Sequence, residues 1–213
     1  AIPMVVLNHY YLSLTIAGIL TEITQINWID AVTIPTVFTI LLAYINRTIS
    51  KEIFERRIFD SDLSLPTTSF LLLGNNEYST VYKQQIRTKI LKDFKIVLPT
   101  TKEEHRNETD ARKIISEVVG RIRRLVGKGD LLFQHNMEYG FIRNIIGGSV
   151  IAVLLSIINI AVFLMIYPES TALALSIVTT ILYVIPVFLS KKLLVRYGRL
   201  YANILFQEYL NKR

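Results

Sequence analysis

The chain contains no cysteine, which excludes a disulfide-stapled scaffold. It is also poor in charge. Only 19% of its 213 residues are Asp, Glu, Lys or Arg, against roughly 25% in an ordinary soluble domain. The shortage is local. Residues 1–21, 31–46, 144–168 and 170–190 carry no charged side chain at all. Apolar residues make up 51% of the sequence, which excludes a disordered chain. Charge-free windows of this length also argue against a soluble globular protein. No internal repeat or low-complexity tract is present. Nor is there a GxxxxGK[ST] loop, a GxGxxG opening a helix, an HExxH or a GxSxG.

What is present is apolar length. A bilayer-crossing helix needs about 20 apolar residues. Ile2–Leu20, Ile145–Tyr167 and Thr171–Leu189 meet that length. The window between Asp30 and Arg47 reaches it when extended back through Ile26 and Trp28, with Arg47 snorkelling to the headgroups. Trp28, Tyr44, Tyr167 and Tyr183 suit the membrane interface. The first window reads as a span, because no basic residues precede it as they do in a signal peptide. The expected fold class is an all-α integral membrane protein. It has four transmembrane helices in two hairpins, with a helical cytoplasmic insert between spans 2 and 3. The segments are a first hairpin over 1–47, a helical domain over 48–143, a second hairpin over 144–190 and a basic C-terminal helix over 191–213.

All 24 Lys and Arg fall within 47–143 and 191–213. The turns on the other side carry only Glu22, Asp30 and Glu169. By the positive-inside rule, the insert, the tail and the N-terminal end are expected in the cytoplasm.

Within the insert, 60–68 reads as a loop and 69–74 is ambiguous between strand and helix. Helical spacing of apolar residues runs from Ser79 to Phe94. Thr101 and Glu104 form a capping-box pattern that opens one long helix. Its stripe is Ile114, Ile115, Val118, Val119, Ile122, Leu125 and Val126, and Gly127 and Gly129 end it. Asp130 then starts a helix that runs into the third span.

Arg121, Arg124 and Lys128 share a helix face, with Arg123 beside them. Guanidinium groups suit planar phosphate recognition, so these four are the candidate ligand-binding residues. Contact with anionic headgroups is the plainer reading. Lys191, Lys192, Arg196 and Arg199 read as a headgroup anchor. His135 and Glu138 lie one turn apart but lack the third ligand that a catalytic zinc needs, so no metal, cofactor or catalytic group is expected. With Asn136, Tyr139, Arg143, Asn144 and the intramembrane Asn159, they are candidate gating or pore-associated residues. Small residues recur every four positions at Ser13, Ala17 and Thr21, and at Thr39 and Ala43. They recur again at Gly148, Ala152 and Ser156, and at Ala172, Ser176 and Thr180. Such rows let helices pack closely in lipid.

This span plan, with an Arg-bearing cytoplasmic helix, resembles four-span effectors of nucleotide-signalled anti-phage defence. The channel subunit of the Hailong system and the four-span CBASS effectors are examples. The resemblance implies a homo-oligomeric gated channel or membrane-permeabilising effector. It would be controlled by a nucleotide or oligonucleotide ligand, or by a soluble partner protein. The rival reading is a non-conducting membrane anchor that recruits a soluble partner. An enzyme is not expected, since acid, base and metal groups do not converge in the sequence.

Overall fold

The computed structural model describes residues 28–127, 129–166 and 168–212. The first apolar window, the small-residue row Ser13, Ala17 and Thr21, Lys128 and Tyr167 lie outside the described residues. All regular structure among the described residues is helical. In chain order, α1 is Trp28–Ile49, continued by a π-helical stretch Ser50–Glu55 and the short α2, Arg56–Phe59. A 3₁₀ turn at Asp62–Ser64 precedes α3, Pro66–Ser69. Then come α4 at Thr80–Phe94, α5 at Thr101–Arg106 and α6 at Glu108–Val126. The last three are α7 at Asp130–Met165, α8 at Ser170–Phe188 and α9 at Ser190–Asn211.

The chain divides into two compact units. One comprises the described part of Ala1–Lys51 together with Arg143–Ser190, and is the apolar unit. The other comprises Glu52–Ile142 and the chain from Lys191 onward, and is the charged unit. Among the described residues, two helices are long and apolar enough to cross a membrane, Leu131–Met165 and Ser170–Phe188.

The charged unit forms a conventional core. Ile86 and Ile90 of α4 and Ile115, Val118, Val119 and Ile122 of α6 are buried, with Leu205, Phe206 and Tyr209 of α9 packed in the same cluster. The C-terminal helix is therefore a structural part of this unit and not a basic appendage. Leu194, Ala202, Leu205 and Phe206 are fully buried, while Lys191, Lys192, Arg196 and Arg199 stay on the exposed face. Ile114 and Leu125 flank the α6 stripe and remain partly exposed, at 40% and 38%.

Local signals explain most helix ends. The Ser79 hydroxyl accepts from the Tyr82 amide at 3.2 Å and starts α4. Lys95, in the left-handed region at φ 57°, ends it. The capping box is real but shifted by one residue from the sequence reading. Thr100 is the N-cap, and Glu103 closes the box by accepting from the Thr100 amide at 2.8 Å. The helix it opens is short. Asn107 adopts φ −151° and ψ 85°, which breaks the expected single helix in two. Its side-chain oxygen then accepts from the Asp110 amide at 3.2 Å and caps α6. An asparagine that can satisfy backbone groups by itself competes with helix continuation, and here it wins.

Candidate functional site

The apolar unit is built the opposite way from a soluble core. Most of its large apolar side chains face outward. Leu154, Ile157, Ile158, Leu164, Val178, Ile181, Leu182 and Phe188 are each more than half exposed. Most of its buried positions are small or polar, Ser149, Ala152, Ser156, Asn159, Ala172 and Ser176 among them, and Ile146 and Phe163 are large apolar side chains buried beside them. Ser156 and Thr180 meet directly, with 2.7 Å between their hydroxyl oxygens. Thr180 and Ser176 also bond back to the carbonyls of Ser176 and Ala172, at 2.7 and 2.8 Å. Of the six packing candidates, Ser156 and Thr180 thus meet across α7 and α8, and Ala152, Ala172 and Ser176 are buried. Gly148 belongs to a second contact, against Asn46 of α1.

That second contact rests more on Gly147 than on Gly148. A Cβ on Gly147 would overlap the Asn46 carbonyl oxygen. One on Gly148 would lie 3.0 Å from the Asn46 side-chain nitrogen, which can move aside. The four-residue rows selected Gly148. Only the packing of α1 shows that its neighbour is the tight point.

The polar candidates divide between the units. In the charged unit, the Tyr139 hydroxyl donates to Glu55 Oε1 at 2.8 Å, and Glu55 is itself buried. His135 Nδ1 lies 3.0 Å from Glu138 Oε2, and Gln134 donates to Glu138 Oε1 at 3.3 Å. Asn136 is exposed. In the apolar unit, Arg143 and Asn144 are half-buried and Asn159 is 6% exposed. The Asn144 side-chain oxygen is buried without a hydrogen-bond partner among the described residues. Among those residues no three His, Asp or Glu side chains converge on a metal-sized site.

The arginine face also divides. Arg121 and Arg124 are exposed. Arg123 turns inward, donating to the Thr67 hydroxyl at 2.9 Å, with its guanidinium 5.6 Å from the centre of the Tyr201 ring. Three adjacent arginines are therefore not one surface. A helix turns 100° per residue, and position 123 falls on the side that α3 and α9 cover.

The most strongly built polar site in the charged unit did not come from the sequence reading. Glu104 is 7% exposed and accepts from the Leu73 amide at 2.8 Å, the Gly74 amide at 3.4 Å and Arg87 at 3.0 Å. Arg87 also donates to the carbonyls of Leu71 and Pro99, at 3.0 and 2.7 Å. Lys83, 2% exposed, donates to the carbonyls of Leu72 at 2.6 Å, Leu73 at 3.4 Å and Asn75. Burial lowers its pKa, and Glu104 opposes that shift. The knot fixes the irregular 70–75 segment, whose backbone groups have no helix to satisfy them. A cavity of about 270 Å³ adjoins it, lined by Leu72, Gly74, Asn75, Glu104, His105, Glu108 and Arg112. The available signal was Lys83 and Arg87 falling on the stripe of Ile86 and Ile90, where a solvated charge does not belong.

Comparison with protein-family models, with curated proteins and with solved structures found no match to this chain.

Proposed function

We propose that this chain is a multi-pass membrane protein that assembles as a homo-oligomeric gated channel or membrane-permeabilising effector, controlled through its charged helical unit. The observation that carries the reading is the largely inverted apolar unit, with most large aliphatics outside and serine, threonine, asparagine and alanine making up most of the inside, beside Ile146 and Phe163. Lipid rewards that arrangement and water penalises it, because helix association in lipid runs on close packing and interhelical hydrogen bonds. At 1.5 Å per residue the 22 residues of α1 extend ~33 Å, comparable with the ~30 Å hydrocarbon core. With Ile2–Leu20, α7 and α8 this gives the four-span plan. The restriction of Lys and Arg to 47–143 and 191–213 orients it, with the charged unit and both ends in the cytoplasm of a bacterial inner membrane.

Control is assigned to an anionic ligand of nucleotide or oligonucleotide type, or to a soluble partner protein, acting at Arg121 and Arg124. Arg123 is withdrawn from that role by its bonds to Thr67 and Tyr201. No catalytic role is proposed. The test is ion flux through liposomes containing purified full-length protein, with adenine nucleotides and short oligonucleotides as probes. Flux that responds to a probe, and a response abolished by Arg121→Glu with Arg124→Glu, support the reading. A protein that never conducts, alone or with probes, refutes the channel and leaves the membrane-anchor alternative. A double variant that responds like the parent removes the arginine face from the mechanism.

A further inference from the structure

Two helices of the charged unit meet at a very short turn. α6 ends at Val126 and α7 begins at Asp130, and both Gly127 and Gly129 lie between them. A turn this short leaves orphan carbonyls at the end of one helix and orphan amides at the start of the next. One side of the turn has an internal solution. The Gly129 amide donates to the Val126 carbonyl at 2.9 Å, and the Phe133 amide to the Gly129 carbonyl at 3.0 Å.

Two further groups are answered from the C-terminal end of α9. Glu208 Oε1 accepts from the Leu132 amide at 2.9 Å, so a carboxylate from a distant helix caps α7. One turn further on, the Lys212 ammonium donates to the Leu125 carbonyl at the end of α6. Lys212 is held in turn by Lys89, which donates to its carbonyl at 2.8 Å. A negative group sits on a helix start and a positive group on a helix end, which is the favourable sense for both dipoles. The space for Glu208 is specific. A Cβ on Gly129 would overlap Glu208 Oε2 and lie 2.7 Å from its carboxyl carbon.

We propose that Glu208 and Lys212 form a latch that fixes α6 and α7 on either side of the Gly127–Gly129 turn, and that opening it frees the first turn of α7. This deepens the gating reading and rests on it for its physiological meaning, since α7 also carries the longest apolar stretch. The latch itself is a local property of the charged unit. Gly129 has no positive φ, so Gly129→Ala is backbone-compatible and should act only by expelling the Glu208 carboxylate. Two chemically unrelated substitutions should therefore have one effect.

The experiment is site-resolved amide hydrogen exchange on the full-length protein in detergent micelles. Glu208→Ala should speed exchange at Leu132 by about tenfold or more, the weight of one hydrogen bond to a charged group. Gly129→Ala should do the same, and the double variant should add nothing. Glu208→Gln keeps an acceptor oxygen and should retain much of the protection. Exchange at Ile115 and Val119 reports that the core is intact. Unchanged Leu132 exchange in Glu208→Ala with an intact core overturns the latch. So does a Gly129→Ala effect that adds fully to that of Glu208→Ala. If Glu208→Ala does not fold, Gly129→Ala alone gives the decision. The readout needs no conductance. Flat exchange would sink the latch and leave the channel reading standing, and an inert protein in the flux assay would do the reverse.

Discussion

Replacing Glu104 separates what the sequence pattern says from what the fold does with it. As the end of a Thr-x-x-Glu box, Glu104 would be a helix-cap residue worth about 1 kcal/mol. In the structure it holds the Leu73 and Gly74 amides and the Arg87 guanidinium while nearly excluded from water. Glu104→Ala leaves two amides unanswered and two buried cations, Arg87 and Lys83, with no anion. Breaking one side of a buried pair costs about 3–5 kcal/mol, so a loss of about 4 kcal/mol is expected. Glu104→Gln keeps an acceptor for one amide and loses the charge, and should cost about half as much. Glu103→Ala, at the true box position but on the surface, should cost far less than Glu104→Ala. The assay is urea unfolding of the full chain in micelles, followed by near-ultraviolet circular dichroism. That signal reports the packed rings of Tyr78, Tyr82 and Tyr209. At this size a 4 kcal/mol loss corresponds to a drop of about 10 °C in the melting midpoint. A Glu104→Ala loss under about 1 kcal/mol, or one smaller than that of Glu103→Ala, would refute the knot as the anchor of 70–75.

Three further outcomes follow from the same geometry. Gly147→Ala should lower the melting midpoint and disturb α1 packing, because the obstructing atom is a backbone carbonyl; Gly148→Ala should be tolerated, and equal effects in a thermal melt would refute the distinction. Arg123→Met should destabilise the charged unit by about 1–3 kcal/mol through the lost Thr67 bond and ring contact, whereas Arg121→Met and Arg124→Met should leave unfolding unchanged. Stability should fall as pH rises through 10.0, since burial raises the pKa of Tyr78, Tyr82, Tyr201 and Tyr209, and the folded chain then holds protons that the unfolded chain has released. Lys83 works in the opposite sense below 10.5, because the fold favours its neutral form. A midpoint that does not fall between pH 10.5 and about 11.5, where Lys83 no longer adds a slope, would refute the tyrosine contribution.

Much of this protein is readable from one dimension. Charge-free length marks α7 and α8, because burying an unpaired charge in lipid or in a core is costly whatever the neighbours are. The 3.6-residue period of Ile115, Val118, Val119 and Ile122 marks the buried face of α6, since any helix with such a stripe must cover it. The rows of small residues mark Ala152, Ser156, Ala172 and Ser176 as buried for the same local reason: the helix itself brings them onto one side. Three things were decided only in three dimensions. Asn107 splits α5 from α6, a choice between backbone and side-chain hydrogen bonding that the apolar pattern does not record. Arg123 leaves the arginine surface because Thr67 and Tyr201, far away in sequence, wait on its side of the helix. Glu104 reads locally as a helix-cap residue and Glu208 carries no local signal, yet they anchor backbone amides 31 and 76 residues away, respectively. Periodicity encodes which face of an element avoids water. Which charged group answers which buried donor depends on where separate elements are brought together, and the tertiary fold alone determines that.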